Sequence, residues 1–173
     1  MRIHYKIVDS PLGRLLVAGT AHGLCFVSLG DADAVLEKEL SNDFPAAEIH
    51  RDDEGLDGWT NAILNFLSGE IKTLDLPVDV RGTAFQQRVW EYLRTIPYGS
   101  TCTYGEIARR LGYSATAARA VGRACATNPV SLVIPCHRAL REGGGLGGYR
   151  WGLDRKAQLL AQEQRTAQLS FGF

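Results

Sequence analysis

TYGEIARRLGYSATAARAVGRACATNP (103–129) carries two short helical patterns separated by a tight turn. Thr103-Tyr104-Gly105-Glu106 has the spacing of a capping box, in which a hydroxyl and a carboxyl three residues apart close the first turn of a helix. That helix runs through Leu111 and stops at Gly112. Ser114 or Thr116 then caps a second helix, Ala117 to Ala126, which Asn128-Pro129 breaks. Two short helices about a glycine-containing turn read as a helix-turn-helix, an outline that many helix pairs share without touching DNA. The second helix is rich in small side chains, so its backbone can come close either to another helix or to a nucleic-acid groove. Arg119 and Arg123 stand at i, i+4 on one face, where both can meet phosphates.

Upstream, Thr83-Ala84-Phe85-Gln86 is another capping box, followed by Phe85, Val89, Leu93 and Ile96 on one helical face until Pro97 stops it. Before residue 79 the pattern changes. Ile3 to Val8, Leu15 to Thr20 and Leu24 to Leu29 read as strands joined at Asp9-Ser10-Pro11-Leu12-Gly13 and Ala21-His22-Gly23, an antiparallel meander. Val35, Leu36, Leu40 and Phe44 mark a helix, and Leu56, Trp59, Ile63, Phe66 and Leu67 a second one ended by Ser68-Gly69. Glu48 to Gly58 is acidic and irregular, so a solvated loop is expected there, with Leu74 to Val80 an extended link around Pro77. The expected fold is an α/β N-terminal domain with an antiparallel sheet (1–78), then a mainly α C-terminal domain of winged helix-turn-helix type (79–173).

A hydrophobic content of 45% and a charged content of 22% are ordinary for a soluble globular chain of 173 residues. No apolar run approaches the roughly 18 residues of a membrane span. MRIHYKIVDS (1–10) has neither a signal-peptide core nor a transit pattern, so a cytoplasmic protein is expected. The net charge of zero hides an asymmetry: residues 1–78 hold 6 Lys/Arg against 13 Asp/Glu, and residues 79–173 hold 13 against 6. Either the second half meets a polyanion or the two halves attract each other. Cys25, Cys102, Cys125 and Cys136 form no C-x-x-C pair and read as free thiols.

VSLVIPCHR (130–138) holds the chemistry. An apolar extended run is expected to end at Pro135, with Cys136, His137 and Arg138 following at once. A free thiol has a pKa near 8.5, and neighbouring cations lower it enough to make the sulfur a nucleophile. His137 and Arg138 are candidate cations. Adjacent side chains diverge on an extended backbone, so direct Cys136–His137 contact and a bridging water both stay open. A lone C-H-R tripeptide is equally a buried inert cysteine beside two surface residues. Downstream, glycines 143–145 and 147–148 flank a loop, and Asp154 is expected to cap a helix bearing Leu159 and Leu160.

Read together, GTAFQQRVW (82–90), RTIPYG (94–99), TYGEIA (103–108), AARAVGRACATNPV (117–130), IPCHR (134–138), GYRWG (148–152) and RKAQLLAQE (155–163) closely resemble the O6-alkylguanine-DNA alkyltransferases. SPLG (10–13) and GTAHGL (19–24) extend the likeness, more loosely, to the family's N-terminal domain. The resemblance implies direct-reversal DNA repair: irreversible transfer of a methyl or other alkyl group from O6-alkylguanine, and from O4-alkylthymine, to Cys136, once per molecule, with base flipping. It implies that His137 acts through a water as the base, that Glu163 holds and polarises His137, and that Tyr104 protonates or polarises the departing guanine. It implies that Asn128 braces the turn before the nucleophile, that Arg119 fills the gap left by the extruded nucleotide, and that Tyr149 lines the pocket. Arg123, Arg150, Trp151, Ser131, Thr103 and Ala118 join the substrate and DNA contacts. The implied partner is double-stranded DNA, bound through the minor groove by a monomer, with no cofactor.

Some relatives hold a structural zinc, but His4, His22 and Cys25 do not build a closed four-ligand site, so no metal is expected. Arg150-Trp151 resembles the Ada-type C-terminal domain, and Trp151 is expected to narrow the pocket in favour of methyl adducts. Three other readings compete: an alkyltransferase-like damage binder, which lacks the acceptor cysteine; a plain helix-turn-helix regulator, which needs no IPCHR; and a cysteine hydrolase, for which no oxyanion-hole motif accompanies Cys136.

Overall fold

Strands β1 (Arg2–Ser10), β2 (Gly13–Thr20) and β3 (Gly23–Gly30) form the expected antiparallel meander. Gly13, at φ +107, lets the chain reverse in the tight turn after Ser10. Helix α1 (Asp33–Asp43) lays Leu36 and Leu40 on Ile3, Tyr5, Ile7, Leu16, Ala18 and Phe26 to make a core. Helix α2 (Asp57–Leu67) sets Trp59 so close to Gly19 that a Cβ there would lie 2.4 Å from the indole.

The loop expected over Glu48 to Gly58 is corrected in part. Glu48–Arg51 is strand β4, which pairs parallel with β1, so the sheet order is β3-β2-β1-β4 and the sheet is mixed. A four-residue polar edge strand, with Ile49 its one apolar residue, leaves no alternation for a sequence reading to detect.

The computed structural model describes residues 1–171 and divides into two units: Met1–Val80 with Pro129–Val133, and Arg81–Asn128 with Ile134–Phe173. The first unit therefore extends past residue 78 and regains a segment of the apolar run. Val130 bridges Val27, Val27 N donates to Pro129 O at 2.9 Å, and Ser131 N donates to Val27 O at 3.1 Å. The extended run expected up to Pro135 is not a strand. Residues 131–133 turn, with Leu132 at φ +72. Its apolarity encoded burial, which periodicity alone cannot distinguish from extension.

In the second unit, α3 (Ala84–Leu93) starts at a complete Thr83/Gln86 capping box. Trp90 Nε1 donates to Ala124 O at 2.8 Å, fixing α3 against the later helix α5 (Ala118–Ala126). Strand β5 (Cys102–Thr103) runs into α4 (Tyr104–Arg110) and pairs parallel with β6 (Ala139–Leu140). Thr103 Oγ1 accepts from Glu106 N, as expected, while the Glu106 carboxylate accepts from the Cys102 thiol. The second helix of the pair begins as a 3-10 turn, Ala115–Ala117, before α5 (Ala118–Ala126). Ser114 holds the N-cap position of that turn without a side-chain capping bond, and its hydroxyl and that of Thr116 bond each other. Helix α6 (Leu153–Phe171) takes Asp154 into its first turn rather than at its cap. Among the described residues no helix is long and apolar enough to cross a membrane.

Candidate active site

Cys136-His137-Arg138 forms a 3-10 turn between Pro135 and β6, and all three side chains are buried. The tight turn, rather than the extended backbone expected, lets His137 and Arg138 both meet one carboxylate. His137 Nε2 lies 2.7 Å from Glu163 Oε1. Arg138 donates from Nη2 to Oε1 at 2.9 Å and from Nε to Oε2 at 3.0 Å, while its Nη1 donates to Ile96 O at 2.7 Å. Gly99 N adds a longer bond to Oε2 at 3.4 Å. Burial alone would raise the Glu163 carboxyl, but His137 and Arg138 together hold it down at about 2.

An ionised Glu163 accepts, so Nε2 carries the ring hydrogen and Nδ1 is left as the basic nitrogen. That Nδ1 is buried and has no hydrogen-bond partner among the described residues. Burial keeps His137 below its usual value, with Arg138 and Lys156 adding to the effect and Glu163 opposing it. The imidazole is therefore neutral at pH 7, set up to take a proton.

The expectation that His137 and Arg138 lower the Cys136 thiol is corrected. Cys136 is 3% exposed, and burial pushes its thiol up to about 11 against relief from Asn128, Lys156 and Arg150. Arg138 is committed to Glu163 and Ile96, and His137 is neutral. The resting group is a thiol. Asn128 stands at the end of α5, fully buried; its Nδ2 donates to Ile134 O at 2.8 Å and its side chain also reaches the Cys136 sulfur. It ties the helix pair to the turn before the nucleophile.

Lys156 is the buried charge beside the site that the sequence reading missed. It is fully buried, and Nζ donates to Ala139 O at 2.7 Å, Gly148 O at 3.1 Å and Leu146 O. It lies 5.9 Å from the Tyr104 ring centroid, and its charge reaches Cys136. The signal was available: Lys156, Leu159 and Glu163 share one face of α6 at i, i+3, i+7, and all three are buried.

Tyr104, at the first position of α4, packs its ring on Gly122 of α5, where a Cβ would sit 3.6 Å away. Its hydroxyl abuts Gly147, where a Cβ would lie only 2.6 Å off. Burial raises the phenol above its ordinary value, and it is close enough to Cys136 for their charges to couple. Tyr149 and Trp151 meet edge to face at 5.1 Å, with Trp151 buried and the Arg150 guanidinium 5.8 Å from its ring. The small-residue face of α5 divides in two. Val121, Ala124 and Cys125 are buried, whereas Arg119 and Arg123 are exposed and Ala118 is half-buried. Thr103, half-buried, spends its hydroxyl on Glu106 N and Glu142. Ser131 is fully buried and belongs to the first unit.

The fold and the site define a two-part protein whose second unit couples a helix-turn-helix to a buried cysteine with a histidine–glutamate pair. Two family models match: the 6-O-methylguanine DNA methyltransferase ribonuclease-like domain over residues 3–80 and the DNA binding domain of the same family over 84–165. The chain belongs to the 6-O-methylguanine DNA methyltransferase family. It is 46% identical to the Escherichia coli bifunctional transcriptional activator/DNA repair enzyme Ada over 94% of this chain and 46% of that protein. It thus spans about half the length of the curated Ada relatives that it matches. It is 41% identical to a methylated-DNA–protein-cysteine methyltransferase of Mycobacterium tuberculosis, over 95% of this chain and 94% of the relative. A crystal structure of Mycobacterium tuberculosis OGT in complex with DNA superposes with a TM-score of 0.81 at 37% identity, covering 94% of each chain.

Proposed function

We propose that this protein repairs alkylated DNA by moving an alkyl group from O6 of guanine to Cys136, once per molecule. The observation that carries this reading is the pairing of Glu163 with His137 Nε2, which leaves a buried basic Nδ1 on the residue that follows a buried thiol in the chain. His137 takes the Cys136 proton through a water, a buried position with polar partners being what such a water requires. The sulfur attacks the alkyl carbon in line with the C–O6 bond. The S–C bond forms as the C–O bond breaks, and the electron pair leaves on guanine. Tyr104 meets that charge with its hydroxyl hydrogen. Tyr104 gives that proton to guanine and is restored, through water, by the proton that His137 took from Cys136. Guanine thus ends with one proton, Cys136 ends as a thioether, and Tyr104 and His137 return to their starting states. A thioether has no facile hydrolysis route, and the molecule is spent.

The alkyl carbon is inaccessible inside the duplex, so the nucleotide is extruded at a cost of a few kcal/mol. Arg119, exposed on α5, enters the vacancy. Arg123, Thr103 and Ala118 join it in meeting the minor groove, where the small side chains of α5 permit close approach. Tyr149, Arg150 and Trp151 flank the extruded base. The same pocket takes O4-alkylthymine, and the protein acts as a monomer. A damage-binding protein without transfer is the alternative, and the presence of the thiol Cys136 argues against it.

Titrating a duplex that holds one O6-methylguanine with this protein tests the reading. Restored guanine should equal the moles of protein added and then stop, and Cys136→Ser should restore none. Continued turnover, or repair by the Ser variant, overturns it.

A further inference from the structure

The glycine-rich loop 141–148 has no stiffness of its own: Gly143, Gly144 and Gly147 take φ of +86, +87 and +70. Apart from a local turn, closed by Gly144 N on Arg141 O and Arg141 N on Gly145 O, its position comes from outside. At its inner end Lys156 holds the carbonyls of Leu146 and Gly148. At its outer end Glu142 crosses to the start of α4. Thr103 Oγ1 donates to Glu142 Oε1 at 2.9 Å while accepting from Glu106 N at 3.1 Å. The carboxylate lies directly over Gly105: a Cβ there would be 1.9 Å from Oε1. Only glycine leaves that space. Within the inner anchor, Gly147 rests against the Tyr104 hydroxyl.

We infer that Glu142 is a positioning residue, latching the loop to α4 through Thr103 and the space above Gly105, and so setting which adduct sizes reach Cys136. The inference rests on the alkyl-transfer reading. The inner anchor is buried and permanent, whereas Glu142 is exposed and tied by one hydrogen bond to a hydroxyl. It is the anchor whose strength can vary without unmaking the site. Released there, residues 142–145 leave the start of α4 while Leu146 and Gly148 stay held by Lys156, and bulkier adducts gain room on that side. Held there, the approach fits small ones.

Three substitutions separate the latch from general damage. Glu142→Ala removes the carboxylate, Gly105→Ala expels it while leaving Glu142 in the chain, and Glu142→Gln keeps an acceptor oxygen. Rates are measured with O6-methylguanine in a duplex and with free O6-benzylguanine, together with amide hydrogen exchange over residues 143–148. The benzyl-to-methyl ratio should rise about fivefold in Glu142→Ala and in Gly105→Ala, the scale of one hydrogen bond, with the methyl rate within about twofold. Loop exchange should quicken in both. Glu142→Gln should behave as wild type, and the Glu142→Ala/Gly105→Ala double variant should be no looser than either single one, because both break the same contact. Unchanged ratio and exchange, additive effects in the double variant, or a Gln variant as loose as the Ala one overturns the latch. Should the wild type transfer neither group to Cys136, the alkyl-transfer reading itself falls. Loop exchange in the same variants still decides whether the latch exists.

Discussion

Glu163 Oε1 sits 2.7 Å from His137 Nε2, and the same oxygen accepts from Arg138 Nη2 at 2.9 Å. One buried carboxylate thus orients the base and is itself neutralised by a guanidinium, which lets the ring stay uncharged. A carboxyl held at about 2 instead of 4.5 contributes about 3 kcal/mol to stability at neutral pH. The folded value lies below the unfolded one. The contribution is therefore complete above the unfolded value and is lost as pH falls from about 4.5 through about 2. Urea unfolding of wild type and Glu163→Gln should differ by about that amount at pH 7, with the gap narrowing on acidification. A gap independent of pH contradicts the account.

In the proposed transfer, two neutral partners set the pH dependence. Cys136 stands at about 11 and His137 below its usual 6.5, so thiol and free imidazole coexist throughout the neutral range. The single-turnover rate should be flat there and fall only on the acid side, where a protonated Nδ1 can no longer accept. A rate climbing about tenfold per pH unit between about 6 and 9, the mark of prior thiolate formation, is the contrary result.

How much of this was written in the chain is uneven, and the reasons are physical. The meander, α1, α2 and the helix pair follow from periodicity and caps that act within a few residues: Thr83 with Gln86, Thr103 with Glu106. The site residues could be named only because whole blocks resembled a family, for no local pattern brings Glu163 to His137 across 26 positions. Strand β4 was hidden because its pairing with β1 is non-local and its residues are polar. The place of Lys156 on the buried face of α6 was legible from its spacing to Leu159 and Glu163, but the burial of its ammonium depends on three carbonyls supplied by other segments. The state of Cys136 was misjudged for a related reason: proximity to His137 and Arg138 in sequence gave no hint that Glu163 would claim both.

Lys156→Met tests the inner anchor. The stem is replaced, but the carbonyls of Ala139, Leu146 and Gly148 lose their donor. Unfolding free energy should drop by about 3 kcal/mol, and transfer should slow as the loop leaves Tyr104. Unchanged stability would mean that the ammonium does not hold the loop.

Trp151 is buried against Tyr149, and both are proposed to flank the extruded base. Trp151→Gly should raise the rate with O6-benzylguanine relative to O6-methylguanine by about tenfold or more. An unchanged ratio removes Trp151 from the determinants of size.

Weighing the intact protein and its peptides after incubation with DNA containing O6-methylguanine interrogates the acceptor directly. The account predicts a gain of one methylene on the peptide that contains Cys136 and on no other. A protein of unchanged mass after the lesion has been bound, or a methyl group found on Cys25, Cys102 or Cys125, contradicts it.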